Sequence, residues 1–298
     1  MRLAAVDIGS NTVHALVADV VRNRLEEVAH YVEMPELGAR VARTGSIGTK
    51  GRFAIRALRS VVNRARKDGY DKLLAAATEA VREAKDGEAF ARQAGEAIGA
   101  PVHIISTSRE AELSFLGVAT YHATKREWAM VDLGGGSTEI VIARGREMLR
   151  SASLAIGSGV LSSTYLSDPP RPEERARLRK AALRELARAP DGEVDWLVAT
   201  GGTASNLPLL LSRRHPPTVL TTADLLTCES RLDSGRVVQV AKKYGLEPSR
   251  VRAMRGGVEA LLLLLLDWYG LAVLQISHQG LRHGMLLAYL ERGEDWWR

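Results

Sequence analysis

Apolar positions along the chain fall into two periods. Residues 2–8 (RLAAVDI) form a nearly continuous apolar run, and residues 13–20 (VHALVADV) form another after a short polar break, GSNT. Apolar runs of this length bounded by turn residues predict buried strands, here an antiparallel pair. A third strand is expected near 25–33. Between 49 and 67 the spacing changes. Ile55, Leu58, Val61 and Val62 then fall on one side of a helix. The pattern goes on to predict a strand at 72–78, two helical pieces broken at Asp86-Gly87, a strand at 101–106 and a helix at 109–122.

The opening pattern then returns. WAMVDL is a strand, GGGST a turn and EIVIAR a partner strand. Laying Asp7 on Asp132 matches Gly9 with Gly134 and Thr12 with Ser137, with apolar strands on both sides. Two such units suggest a duplicated domain. The polar stretch HATKRE (122–127) is the expected boundary, dividing a first domain at 1–124 from a second at 125–298. A helix-rich region (159–188), a strand at 195–200 and further helices follow. The most lipid-like run, 261–277, is interrupted by Asp267 and Gly270, so a buried helix followed by a strand is expected rather than a membrane span.

Composition narrows the picture. Apolar residues make up 46% of 298, enough for one large or two medium cores. One cysteine, Cys228, excludes a disulfide within the chain and fits a reducing cytoplasm. The start is too short and too quickly acidic for a signal peptide. The net charge of +6 gathers in two basic stretches, 52–67 and 171–188. These read as solvated helix faces or as surface for a polyanion. Nucleic acid is not expected, because no recognition motif and no aromatic stacking stretch are present. A phosphate-rich small molecule or polymer fits better.

The glycine turns carry the candidate chemistry. Glycine lacks Cβ, so its loop brings backbone N–H groups against an anion and tolerates positive φ. Ser137 and Thr138 add hydroxyl donors, as do Ser10 and Thr12 in the first turn. An aspartate just before the loop, Asp7 or Asp132, suits a divalent cation beside the phosphate. A third turn, Gly201-Gly202-Thr203, joins a strand to a helix start, where unpaired N–H groups and the dipole favour anions. One such turn alone reads equally well as an unliganded β-turn or an ordinary strand–helix junction. Neither a Walker pattern nor GxGxxG is present. His278 and His283 lack a third ligand for a metal.

On the residues AAVDIGSNTVHALVADV, ATEAVREAKDGEAF, VHIISTSREAELSFLGV, MVDLGGGSTEIVIA, SDPPRPEE, ATGGTASNL and ISHQGLRHGMLL, the chain resembles the exopolyphosphatase / guanosine pentaphosphate phosphatase family of the actin-like fold. These segments occur in the family's order and cover nearly the whole chain. The resemblance implies an α/β fold of two ribonuclease-H-like domains with an inter-domain cleft. It also implies a homodimer, and Mg2+ or another divalent cation as cofactor. By the resemblance Glu110 is the catalytic carboxylate. Asp132 and Glu139, joined by Asp7, hold the metal. Arg82 is a phosphate ligand beside Gly9, Ser10, Asn11, Thr12, Gly134, Gly135, Gly136, Ser137, Thr138, Gly201, Gly202 and Thr203. The chain departs from the family's usual residues at 107–109 (with Arg109 for a glutamate), Glu79, Val160 and His283.

The expected activity is release of terminal phosphate from inorganic polyphosphate or guanosine pentaphosphate, through a water activated by Glu110. Alternatives stay open at this level. Thr107 and Glu110 are spaced as a capping box, which would make Glu110 a helix cap. Glu139 reads also as the exposed start of its strand, and Arg82 as an exposed helix residue. A kinase of the same fold, or a non-catalytic sensor of alarmone or polyphosphate, would share most of these residues.

Overall fold

The structure, a computed structural model, describes residues 1–22 and 24–298. It divides into two compact units, one formed by Met1–Gly117 with Gln279–Arg298 and the other by Val118–His278.

In the first unit the chain runs β1 (Arg2–Ile8), β2 (Val13–Val21), β3 (Arg24–Glu33), α1 (Leu37–Thr44), α2 (Lys50–Asp68), β4 (Lys72–Ala77), α3 (Glu79–Arg82), α4 (Gly87–Ile98), β5 (Val102–Ile104) and α5 (Thr107–His122). The sheet order is β3-β2-β1-β4-β5. β1 pairs antiparallel with β2 and parallel with β4. Its side chains alternate between two cores, as a strand's period of two requires. Ala4, Val6 and Ile8 join the core that α2 supplies with Ala54, Leu58 and Val61. Leu3 and Ala5 face the other way, with Leu16, Leu74, Leu113, Met285 and Leu286.

That second core explains a departure from the expected domain boundary. The final helix, Leu281–Arg292, packs its Leu281, Met285 and Leu286 on the first sheet, so residues 279–298 complete the first unit rather than the second. Each such leucine or methionine stabilises the fold by about 1.5–3 kcal/mol once buried. The final helix reaches α5 at backbone distance. A Cβ on Gly284 would lie 1.7 Å from Leu113 O, and one on Gly117 would lie 2.2 Å from Gly280 O. Only glycine permits this approach.

The second unit repeats the plan. It contains β6 (Glu127–Leu133), β7 (Thr138–Arg144), β8 (Glu147–Leu154), α6 (Ser158–Tyr165), α7 (Pro172–Leu186), β9 (Trp196–Thr200) and α8 (Gly201–Leu211). There follow β10 (Val219–Thr221), α9 (Thr222–Asp233), α10 (Val237–Tyr244), α11 (Pro248–Leu262), a π-helical stretch (Leu263–Trp268) and β11 (Val273–Ile276). The sheet order is β10-β11-β9-β6-β7-β8. β6 pairs antiparallel with β7 and parallel with β9, as β1 does with β2 and β4. The duplication read from two short segments therefore extends to the connectivity of both sheets. The run 261–277 is a buried helix followed by a strand, and among the described residues no helix is long and apolar enough to cross a membrane.

Candidate active site

The first turn is closed by Gly9 N–H donating to Thr12 O at 2.9 Å. The chain leading into α1 anchors it from outside, with Gly38 N–H on Ser10 O (2.7 Å) and Glu36 N–H on Asn11 O (3.0 Å). Asp7, at the end of β1, lies 3.7 Å from the guanidinium of Arg282 on the final helix. Ser10 is buried, and its hydroxyl donates to Glu79 Oε2 at 2.9 Å. Burial raises the Glu79 carboxyl above its ordinary value, against the lowering effects of the Ser10 hydroxyl and Arg82; nearby Glu83 raises it further.

Glu110 does not cap its helix as the capping-box spacing predicts. Helix α5 starts one residue earlier, so Ser106 Oγ takes the cap position and accepts from Arg109 N–H at 3.2 Å. The Glu110 side chain instead meets Arg82 Nη1, with 3.0 Å to Oε2. The same Arg82 nitrogen donates to Ile105 O at 2.9 Å. Arg82, expected on phosphate, is here the partner of the expected catalytic carboxylate. Arg109, where the family commonly has a glutamate, is a buried cation that binds Glu112 at 2.8 Å and also the carbonyl of Trp296. It ties α5 to the last segment of the first unit.

The second turn is built differently. All three glycine carbonyls point at the start of α6. Gly157 N–H donates to Gly136 O (3.0 Å), Ser158 N–H to Gly134 O (2.9 Å), and Gly159 and Val160 N–H to Gly135 O (2.9 and 3.1 Å). A trans peptide directs its N–H opposite to its C=O, so the N–H groups of Gly135, Gly136 and Ser137 face away from α6. Among the described residues, those of Gly135 and Gly136 meet no backbone acceptor. That is the geometry of an anion-binding nest. None of Gly9, Gly134, Gly135 and Gly136 adopts positive φ, and the close approach is made by Gly157 on α6. A Cβ on Gly157 would lie 2.2 Å from the Gly136 carbonyl carbon.

Two hydroxyls expected as phosphate donors are committed elsewhere. Thr138 is fully buried and donates to Ile156 O at 3.1 Å, and Ser137 donates to Glu139 Oε1 at 2.8 Å. Glu139, expected as an open metal ligand, is buried and accepts from both Ser137 and Ser153, each at 2.8 Å.

The third turn adjoins the second. Gly201 begins α8 with φ of 95°, and a Cβ there would meet Leu133 O at 2.4 Å and Asp132 Oδ1 at 3.1 Å. Asp132 therefore lies between the two glycine turns. Arg250 of α11 lies over the helix start, its Nη1 2.2 Å from where a Gly202 Cβ would be. Thr203 is buried, and its Oγ1 has no hydrogen-bond partner among the described residues. Arg250, Arg282 and Glu79 are the charged groups that sequence reasoning did not place. Arg250 lacks any local signal, whereas Arg282 sits inside the segment ISHQGLRHGMLL already singled out.

The donors suit a hard divalent ion in one particular way. Among the described residues no three His, Cys, Asp or Glu side chains gather as a metal cage. Magnesium is commonly held by one or two carboxylates with substrate phosphate and water completing the shell, and Asp7 in the first unit and Asp132 in the second each offer one such carboxylate beside a turn. Glu139, already accepting from two serines, fits that mode less well.

Two sheets of matching connectivity, each with an aspartate entering a small-residue turn, define an α/β protein of the actin-like fold. The chain belongs to the Ppx/GppA phosphatase family, whose model matches residues 16–293. The crystal structure of the Aquifex aeolicus Ppx/GppA family member is 28% identical, covers 99% of both chains and has a TM-score of 0.82. A second study of the Aquifex aeolicus enzyme, also 28% identical, superposes with a TM-score of 0.80 over 97% of this chain and 99% of that one. An exopolyphosphatase from Cytophaga hutchinsonii has a TM-score of 0.86 over 98% of each chain at 21% identity, a likeness of fold.

Proposed function

We propose that the protein is a phosphoanhydride hydrolase releasing terminal phosphate from inorganic polyphosphate, with guanosine pentaphosphate as the second substrate to compare. Membership of the phosphatase family supports hydrolysis. The observation that carries the reading is Glu110, a carboxylate fixed by Arg82 at the start of α5. Phosphoryl transfer to water needs an oriented water, neutralised phosphoryl oxygens and a proton acceptor. Glu110 orients the water and takes its proton. Arg82 holds that carboxylate in one rotamer through its second bond to Ile105 O. The backbone N–H groups of Gly135 and Gly136 bind phosphoryl oxygens, and Arg250 adds positive charge at the neighbouring turn. Asp7 and Asp132 are each proposed as carboxylate ligands for a divalent ion, which when bound would offset the substrate's negative charge. The basic stretches 52–67 and 171–188 favour a long polyanion over a single nucleotide.

Phosphate release from long polyphosphate, guanosine pentaphosphate and ATP, side by side with magnesium, tests the proposal. Release from polyphosphate or the alarmone well above that from ATP is expected. Transfer from ATP to a sugar without release would make the protein a kinase. A second reading, a sensor that binds without turnover, draws support from the Ser10 hydroxyl already engaged by Glu79. Thermal stabilisation by polyphosphate with no phosphate release would favour it.

A further inference from the structure

The first turn carries a negative charge of its own. Glu79 opens α3, directly after β4, and its Oε2 accepts the Ser10 hydroxyl at 2.9 Å. Ser10 is the central polar residue of the turn, and it is buried. A serine hydroxyl has one proton to donate, and an ionised carboxylate only accepts. A phosphate arriving at this turn therefore finds the Ser10 donor already turned toward a carboxylate. It also approaches a like charge in a partly dehydrated place, where repulsion is screened less than at an open surface. In the second turn Ser137 likewise serves a carboxylate, Glu139, but there a second hydroxyl, that of Ser153, donates to the same oxygen. The two turns thus differ in how the neighbouring charge is met.

Resting on the hydrolase reading above, we propose that Glu79 is a specificity-determining residue that weakens the hold of the first turn on free inorganic phosphate, so that this turn discriminates against the released product. The carboxylate does so in two ways, by occupying the Ser10 donor and by adding negative charge beside the turn. A substrate held by many other phosphates tolerates this penalty, whereas a single released phosphate does not. The raised proton affinity of Glu79, caused mainly by its burial, agrees with a carboxylate whose charge is poorly solvated.

The test is calorimetric titration of inorganic phosphate into the full chain in the presence of a chelator, so that neither turnover nor metal contributes. Glu79→Gln keeps the size and the acceptor oxygen but removes the charge. It is expected to bind phosphate about tenfold more tightly than the wild type. Glu79→Ala, which removes the acceptor as well and so frees the Ser10 hydroxyl, should bind more tightly still, and adding Ser10→Ala to it should return part of the gain. Glu79→Ala is the companion variant if the glutamine form is unstable, with thermal melting as the control for folding. Phosphate binding to both variants no tighter than to the wild type overturns the proposal. So does a gain in Glu79→Ala that Ser10→Ala leaves wholly unchanged, which would place the anion elsewhere. Absence of binding to every form overturns it too. The hydrolase reading stands or falls separately, on phosphate release from polyphosphate by the wild type.

Discussion

The two aspartate turns come from one plan and differ in which segments hold them. In the first, backbone N–H groups from outside the turn, those of Gly38 and Glu36, secure two of its carbonyls, and its serine serves a carboxylate from another helix. In the second, the start of α6 takes every glycine carbonyl and leaves the N–H groups facing away. In both, carbonyls held from outside turn the following N–H groups away from the holder, so the shape of a nest comes from restrained carbonyls and not from glycine content alone. Each turn has a clasp and a serine committed to an acid; they differ in glycine number and in the source of the acid, a separate helix for the first and the following strand for the second.

The largest effect that would sharpen this comparison lies in Glu110, the carboxylate proposed as catalytic. Glu110→Gln is expected to lower phosphate release by roughly 10²–10⁴-fold while the melting temperature stays within a few degrees. Ser106→Ala, which removes the actual cap of α5, should do the reverse, costing about 1 kcal/mol of stability and sparing turnover. Parallel melting and phosphate-release assays on the two variants decide whether Glu110 acts on substrate or only on its helix.

Next come the two clasps. Gly157→Ala places a methyl 2.2 Å from the Gly136 carbonyl carbon, so the second turn must separate from α6. A loss of about 3 kcal/mol, at the upper end for overpacking, is expected together with weaker phosphate binding. Gly38→Ala on the first turn meets Ser10 Cβ at 2.9 Å and should cost nearer 1 kcal/mol. Equal losses in denaturant titrations would show that the two turns are restrained alike.

Thr138→Val follows, at about 1–3 kcal/mol, because it leaves the buried Ile156 carbonyl without its donor. Its phosphate affinity should stay that of the wild type, since the hydroxyl does not face the cradle. The smallest effect is one of pH. Glu79 has a higher proton affinity folded than unfolded, so the folded state binds more protons once pH exceeds the ordinary value of 4.5. Its contribution to stability is therefore present at low pH and declines as pH rises through the folded value. Glu79→Gln should flatten that part of a stability–pH curve; an unchanged slope would assign it to other groups.

Much of this was legible in the residues. The strands β1, β2, β6 and β7 follow from uninterrupted apolar runs, and their duplication follows from laying Asp7 on Asp132. What escaped has a common cause, which is that it depends on contacts between distant segments. β8, with mixed exposure, and the three-residue β10 lack a strong periodic signal, and α1, though amphipathic, is only eight residues long. The commitment of Thr138 and Ser137 to internal acceptors is invisible locally, because a hydroxyl reads the same whether it faces phosphate or Ile156 O. Arg82 and Glu110 were each singled out, but not as partners, since their ion pair joins two helices separated by β5. The return of residues 279–298 to the first sheet was missed because an amphipathic helix does not disclose which sheet it covers.

That return has a consequence for how the chain acquires its structure. The first unit is interrupted in sequence by the whole of the second, residues 118–278. A nascent chain emerging from the ribosome can complete the second unit while the first still lacks the helix that shields Leu3, Ala5, Leu16 and Leu74. Until Met285 and Leu286 arrive, that sheet face stays open to water and to other nascent chains, the condition under which chaperones are needed. Closing so long an interval adds only slowly to the entropic cost, because that cost grows with the logarithm of loop length. The delay is therefore one of order and time rather than of final stability. The glycines at 117 and 284, which let the last helix seat at backbone distance, set the fit of the closing step.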